Sequence, residues 1–193
     1  MNARIPFIAA PVLTFGYGVI RILDGLDGER GPGLAWTAGH LVFIAAMVMF
    51  LLVFTHLRRL AGRDPLSTVT VVVASVGALA LVAQFGVDIA AGLLADDHAG
   101  MAEITRNVRH SPAVSLAVYD VGPYLFYAGQ FVLVLQLVVL RRIAGWTPLL
   151  LLVDLIMPLV DKDLIPIGAA ALLVSFASIS KRIPARRPEP ALV

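Results

Sequence analysis

The sequence predicts an all-α integral membrane protein whose six transmembrane helices form one bundle. Of its 193 residues, 59% are hydrophobic and only 15% are charged, whereas about a quarter of a soluble domain is charged. Several apolar stretches reach the roughly 20 residues that a helix needs to cross a bilayer. The chain contains no cysteine, which excludes disulfides and thiolate metal sites.

Six apolar stretches alternate with polar connections along the chain. We place the predicted spans at 5–23, 35–57, 66–94, 112–142, 146–160 and 164–180. The first is predicted to be a retained helix, because no small-residue cleavage pattern of a signal peptide follows it. Residues 95–111 are predicted to form a polar loop. Residues 1–180 thus form one transmembrane domain, and the basic, proline-rich tail 181–193 is predicted to be disordered.

Basic residues concentrate on one side of the predicted bundle. That side carries Arg4, Arg58, Arg59, Arg63, Arg141, Arg142, Lys181, Arg182, Arg186 and Arg187. The opposite connections carry the acids Asp24, Asp27, Glu29, Asp96, Asp97, Glu103, Asp161 and Asp163. Because Lys and Arg are retained in cytoplasmic loops, this asymmetry predicts that both termini are cytoplasmic. Because the basic residues lie where this rule requires them, the pI of about 9.3 does not indicate a nucleic-acid partner. The predicted partners are membrane lipids and a small amphiphilic ligand.

The composition also suggests a compartment. The bias toward Ala, Val, Leu and Arg, together with the absence of cysteine, is typical of a bacterium with a GC-rich genome. We therefore predict a multi-pass protein of the bacterial plasma membrane. A homo-oligomer and a membrane partner protein are both compatible with the sequence.

Titratable side chains recur in five of the predicted spans, in the half nearer the acidic loops. Arg21 lies about one turn below the end of its span, and His40, Asp88, Asp120 and Asp154 lie about 8–10 Å below the ends of theirs. A charge at the centre of a bilayer costs about 3 kcal/mol or more on insertion scales. We therefore expect these groups to face a shared, wet hollow within the protein.

Helical spacing places polar and aromatic residues beside these groups. Residues three, four or seven apart share a helix face, which aligns Tyr17 with Arg21, Trp36 with His40, Gln84 with Asp88, and Asp120 with Tyr124 and Tyr127. The pattern predicts an outward-opening pocket with aromatic walls. In it, His40, Asp88, Asp120 and Asp154 are the candidate catalytic residues. The candidate ligand-binding residues are Tyr17, Arg21, Trp36, Gln84, Tyr124 and Tyr127.

Such a pocket suits acid–base chemistry on an amphiphilic, lipid-like ligand, since buried carboxyls can donate or accept protons. A small helical bundle with buried acids and aromatic walls is similar in architecture to integral membrane terpene cyclases, although no sequence motif is shared. That similarity implies an isoprenoid as one ligand. No cofactor is predicted. A divalent metal at His40, Asp88 and Asp120 is the weaker alternative, because metal sites usually combine more imidazoles or thiolates.

Other interpretations of the polar residues remain open at this stage. The aspartates and Arg21 could form the relay of a proton- or cation-coupled transporter or channel subunit. Against this, Gln130 and Gln136 are the deeper polar residues of the fourth span, so one half of the bundle is almost entirely apolar. The same polar residues could also only join helices in a non-catalytic accessory subunit.

Overall fold

A computed structural model describes residues 3–26, 28 and 30–183, and every regular element in these ranges is a helix. The elements are α1 (Ile5–Asp24), α2 (Leu34–Ala61), α3 (Pro65–Leu94), α4 (His98–Arg109), α5 (Pro112–Val139), α6 (Thr147–Val160), a 3₁₀ turn (Lys162–Leu164) and α7 (Ile165–Ser180). The predicted disorder of the tail concerns residues 184–193, which lie outside the described residues.

In the described part of the chain, five helical segments are long and apolar enough to cross a membrane. They comprise α1, α2, α3, α5 and the segment Lys162–Ser180, while α6 is a shorter apolar helix of 14 residues. At 1.5 Å per residue α6 spans about 21 Å, less than the roughly 30 Å hydrocarbon core of a bilayer. The structure therefore confirms an all-helical chain with the helices of a multi-pass membrane protein.

The segment predicted to be a loop between α3 and α5 contains a helix, so that prediction is wrong. Asp97 caps α4, because its carboxylate accepts a hydrogen bond from the Gly100 N–H at 2.8 Å. Met101 is buried, and Ile104 and Val108 continue its apolar face at helical spacing. The prediction failed because α4, at 12 residues, is short and polar beside the long apolar spans.

Contacts at the two ends fix the direction of the helices. Arg4 at the start of α1 donates a hydrogen bond to the carbonyl oxygen of Ile183, just beyond α7, at 3.3 Å. At the opposite end Arg30, between α1 and α2, binds Asp163, between α6 and α7, at 2.8 Å. Both ends of the described chain therefore lie at one end of the bundle, here called the termini side. The other end carries α4 and is called the α4 side.

Small residues bring α3 and α5 into backbone contact. A Cβ on Gly77 would overlap the backbone of Phe126, and a Cβ on Gly129 would lie 2.6 Å from the Cβ of Ala74. Close approach at small residues is typical of membrane helices, which gain little hydrophobic energy by leaving lipid. Toward the α4 side the first part of α5 is a π-helix of seven residues, Ser115–Val121.

An aromatic core fills the middle and the termini side of the bundle. Its fully buried side chains include Phe7, Phe50, Phe54 and Phe176. The rings of Phe7 and Phe176 meet edge to face at 5.6 Å, and those of Phe50 and Phe126 at 5.0 Å. These contacts join α1, α2, α5 and α7 into one core.

Candidate functional site

A cavity of about 580 Å³ lies on the α4 side between α2, α3, α4 and the start of α5. We call it the α4 pocket. Its lining residues are Trp36, Asp88, Ala91, His98, Met101, Ala102, Thr105, Arg106, Arg109, His110 and Ser115. The pocket thus combines apolar side chains with exposed arginines and one carboxyl.

Asp88 of α3 and His40 of α2 form a pair at this pocket. The Nε2 atom of His40 lies 3.7 Å from Oδ2 of Asp88, and their side chains are 7% and 20% exposed, respectively. Trp36 holds the pair in place from both sides. Its carbonyl oxygen lies 2.7 Å from Nδ1 of His40, and its own Nε1–H donates to the carbonyl oxygen of Asp88 at 2.9 Å.

The contact with Trp36 fixes the tautomer of His40. A carbonyl oxygen only accepts, so Nδ1 carries the hydrogen of that bond. Nε2, which faces Asp88, then carries a hydrogen only in the imidazolium form. The pair can therefore hold one proton in two ways, as imidazolium with carboxylate or as neutral imidazole with protonated carboxyl. Such a pair can give up or accept a proton at the wall of the pocket.

Asp120 lies outside this pair, on the surface of α5. Its side chain is 50% exposed and pairs with Arg109 Nη2 at 3.4 Å, and Ser115 Oγ donates to its other oxygen at 3.2 Å. Both partners line the α4 pocket, so Asp120 positions the rim without entering the pocket.

The predicted inward face of Asp120, Tyr124 and Tyr127 is wrong for its first two members. Tyr124 is 64% exposed, like Asp120, whereas Tyr127 is partly buried. The cause is the π-helix that contains Asp120, because a π-helix has wider turns than an α-helix and changes the register of side chains across it. The spacing rule applied to this stretch assumed a regular α-helix.

Asp154 occupies a second, separate cavity. Its side chain is 7% exposed and faces a cavity of about 20 Å³, the Asp154 pocket, lined by Thr14, Phe43, Met47, Phe50, Phe126, Tyr127, Asp154, Pro158 and Ile165. Met47 follows His40 by seven residues on α2, which places this pocket about 10 Å deeper than the His40 level. The expectation that three aspartates share one hollow is therefore wrong.

Tyr17 and Arg21, predicted on one face of α1, both line a small cavity of about 10 Å³ together with Trp36 and His40. The ring of Tyr17 packs against His40 and Phe43, at centroid distances of 6.0 and 4.9 Å. It thereby forms a wall behind the Asp88–His40 pair. Arg21 also pairs with Asp163 at 3.4 Å, and this contact joins α1 to the α6–α7 connection.

Gln84 lies one turn before Asp88 on α3. It is partly buried, and its Oε1 atom makes no hydrogen bond to any residue of the described chain. The structure thus places Asp88 and Trp36 in the α4 pocket, with His40 beside both of them and Tyr17 behind His40. It separates Asp120, Tyr124 and Asp154 from them.

The sequence analysis missed the residues that α4 contributes to the pocket. Met101 forms part of the apolar wall, Arg106 and Arg109 are exposed at the rim, and His98 bonds through Nδ1 to the carbonyl oxygen of Arg30 at 2.7 Å. The capping residue Asp97 and the helical spacing of the apolar residues after it were the available signal.

A metal site at His40, Asp88 and Asp120 does not form, because Asp120 pairs with Arg109 instead. Within residues 3–26, 28 and 30–183, no three His, Asp or Glu side chains group closely enough to hold a metal ion.

Comparisons of the chain with protein-family models, with curated proteins and with solved structures found no match.

Proposed function

We propose that this chain is a multi-pass protein of the bacterial plasma membrane that binds an amphiphilic, lipid-like ligand in the α4 pocket. The Asp88–His40 pair would exchange a proton with that ligand. The observation that supports the proposal is the cavity of about 580 Å³, which combines an apolar wall, a cationic rim and the Asp88 carboxyl, with His40 lying 3.7 Å behind that carboxyl. Cavities of about 300–1,000 Å³ are typical of small-molecule sites.

The two kinds of lining suggest how such a ligand is oriented. Trp36, Ala91 and Met101 offer apolar contacts to a hydrocarbon chain. Arg106 and Arg109 are exposed at the rim, where guanidinium groups bind phosphate or carboxylate through paired hydrogen bonds. We therefore propose an anionic head group at the rim with its chain along the apolar wall.

The chemistry we propose is proton transfer between the pair and the ligand. With His40 neutral, a protonated Asp88 can donate to a basic or unsaturated ligand atom, and Asp88 then becomes a carboxylate. In the reverse direction the pair takes up one proton, which rests on Nε2 of His40. An isoprenoid phosphate fits this description, because it joins an anionic head to unsaturated carbons.

We further propose that six helices span the membrane, with the termini side cytoplasmic and the α4 pocket open to the outside. The asymmetry of basic and acidic connections supports this orientation. The α6 helix is the shortest of these six helices, and its packing along α7 supports counting it as a membrane span. Ser175 Oγ in α7 donates to the carbonyl oxygen of Thr147 at the start of α6, at 3.2 Å.

Because the chain has no cysteine, single introduced thiols can test the orientation. Thr105 lines the α4 pocket, whereas Arg63 is exposed in the α2–α3 turn on the termini side. A membrane-impermeant maleimide should label Thr105→Cys in intact cells and Arg63→Cys only after lysis. The reverse pattern would overturn the proposed orientation, but it would not bear on whether the α4 pocket binds a ligand.

The same thiol tests ligand binding in purified protein in a neutral maltoside detergent. Dodecyl phosphate should slow the labelling of Thr105→Cys severalfold, and dodecyltrimethylammonium, with the same chain, should not. Adding Arg106→Gln should remove most of this protection. Arg59 is exposed on the termini side, away from the pocket, so Arg59→Gln should leave the protection intact. If neither amphiphile protects the thiol, the pocket is not a lipid-binding site, and the accessory-subunit interpretation gains support.

Proton exchange is tested by Asp88→Asn. In D₂O, a prenyl phosphate incubated with the parent protein should take up deuterium at its unsaturated carbons, because a proton that the pair gives and takes back exchanges with solvent. Asp88→Asn should abolish that uptake while thiol protection persists. Unchanged deuterium uptake in the variant would reduce the proposal to binding alone.

The proton- or cation-coupled transporter remains a second candidate. The observation that favours it is the second carboxyl, Asp154, which lies deeper in the bundle than the Asp88–His40 pair. Protein reconstituted into vesicles should then show flux driven by a proton or cation gradient, and Asp154→Asn should remove that flux. Absence of flux under both gradients would eliminate this candidate.

A further inference from the structure

The carboxyl of Asp154 is enclosed without a partner. Its side chain is 7% exposed, and it makes no hydrogen bond or ion pair with any residue that the structure describes. An ionised carboxylate in such a position costs several kcal/mol unless a positive charge or several donors meet it. Among the residues that the structure describes, no Lys, Arg or His lines the Asp154 pocket. The group is therefore either protonated or bound to a cation from outside the chain.

The backbone carbonyl oxygen of Asp154 also lacks a helical hydrogen-bond donor. Pro158 follows Asp154 by four residues in α6 and has no N–H, so the carbonyl oxygen of Asp154 lacks its usual helical donor. Both oxygens lie beside Gly168 of α7. A Cβ built on that glycine would be 3.2 Å from Oδ1 and 3.3 Å from the carbonyl oxygen of Asp154. Only glycine leaves space at this crossing.

Two hydroxyl groups line the pocket from other helices. Thr14 of α1 donates its hydroxyl hydrogen to the carbonyl oxygen of Ala10 at 3.0 Å, which leaves the oxygen's lone pairs available. Tyr127 of α5 contributes the second hydroxyl. Oxygen ligands of this kind are those that hard cations prefer. The rings of Phe43, Phe50 and Phe126 form the remaining walls, and aromatic faces attract cations.

Volume and charge restrict the occupant. A cavity of about 20 Å³ holds one water-sized particle, which excludes organic cations. One carboxylate balances one positive charge, so a divalent ion would leave an excess charge inside the bundle. We propose that the Asp154 pocket binds one monovalent alkali cation of about the size of Na⁺. The cation would join α6 to α1 and α5. This site shares no lining residue with the α4 pocket, so the inference does not depend on the proposed function.

Thermal unfolding of the full chain in neutral detergent tests the site. NaCl should raise the midpoint saturably relative to choline chloride at equal ionic strength, because a ligand that binds only the folded state stabilises it. Asp154→Asn should abolish the difference between the two salts. Asp88→Asn, which removes the other carboxyl inside the bundle, should retain it.

Tyr127→Phe provides a second variant in case Asp154→Asn does not fold. It should raise the Na⁺ concentration that gives half of the midpoint shift, without removing the shift. Three outcomes would overturn the site: equal midpoints in NaCl and choline chloride for the parent protein, a Na⁺ response that persists in Asp154→Asn, or loss of the response in Asp88→Asn. The first outcome would mean that Asp154 is simply protonated.

Discussion

The two ends of the bundle are held together by different interactions. On the α4 side, charged and polar groups join the helices, as in the contacts of Arg30 with Asp163 and of Trp36 with the Asp88 carbonyl. Toward the termini side, fully buried phenylalanines fill the space between helices. The α4 side contains a cavity of about 580 Å³ beside large side chains such as Trp36 and Met101, whereas buried rings pack closely against one another toward the termini side. We infer that packing stability comes mainly from one end and binding from the other.

The largest effect on stability should come from the aromatic core. Phe176 of α7 is fully buried and contacts Phe7 and Phe50. Phe176→Ala should lower the free energy of unfolding by about 3 kcal/mol, because it leaves a cavity and removes dispersion contacts. Unfolding in mixed micelles of increasing denaturing-detergent content measures this loss.

Phe15 of α1 is the matched control, since its side chain is 44% exposed on the surface of the bundle. Phe15→Ala should change the free energy of unfolding by about 0.5 kcal/mol or less. Equal losses in the two variants would show that the aromatic core does not determine stability.

A smaller effect is expected from the ion pairs of the α4 side. Asp163 accepts two hydrogen bonds from one guanidinium nitrogen of Arg30, each at 2.8 Å, and also pairs with Arg21. Its side chain is 41% exposed, so solvent screens these interactions. Asp163→Ala should lower the free energy of unfolding by about 1 kcal/mol.

The loss in Asp163→Ala should shrink at high salt, since ions screen half-exposed charges. Asp96→Ala, at an exposed acid of the neighbouring connection, should show no comparable loss at any salt concentration. If Asp163→Ala lowered the free energy of unfolding as much as Phe176→Ala does, packing at the termini side would not be the main source of stability.

The sequence predicted the structure well where hydropathy determines the position of a helix and regular helical spacing determines its buried face. The apolar runs located the long helices within a few residues, and the predicted inward stripes of α1, α2 and α3 are confirmed by the buried or partly buried positions of Tyr17, His40 and Asp88. Spacing along an α-helix predicts such faces because the periodicity is fixed at 3.6 residues.

The predictions failed where local geometry departs from a straight α-helix or where depth depends on packing. The π-helix places Asp120 at the surface, and no residue pattern in that stretch predicts a π-helix. Asp154 was placed at the level of His40 from its position in α6. The structure instead packs it against Met47 and Phe50, because the depth of a short helix is set by its neighbours.

The smallest effect concerns a helix cap at the termini side. Asp64 begins α3, where its Oδ1 atom accepts a hydrogen bond from the Ser67 N–H at 3.0 Å. This bond holds the pKa of Asp64 below its ordinary value, because it stabilises the carboxylate. In the unfolded chain the carboxyl regains the ordinary value of about 3.9. The cap therefore stabilises the fold fully above that pH and loses its effect as the pH falls through the lower, folded value.

We therefore expect Asp64→Ala to lower the unfolding midpoint slightly at pH 7, with a difference from the parent protein that narrows as the pH falls below about 4. Asn can cap a helix without ionising. The difference in unfolding midpoint between Asp64→Asn and the parent protein should therefore shrink or change sign as the pH falls below about 4. A difference for Asp64→Ala that stays constant down to pH 3 would show that the hydrogen bond does not depend on the charge of the carboxylate. The cap would then stabilise the fold as a neutral hydrogen bond does, and the charge of Asp64 would make no contribution.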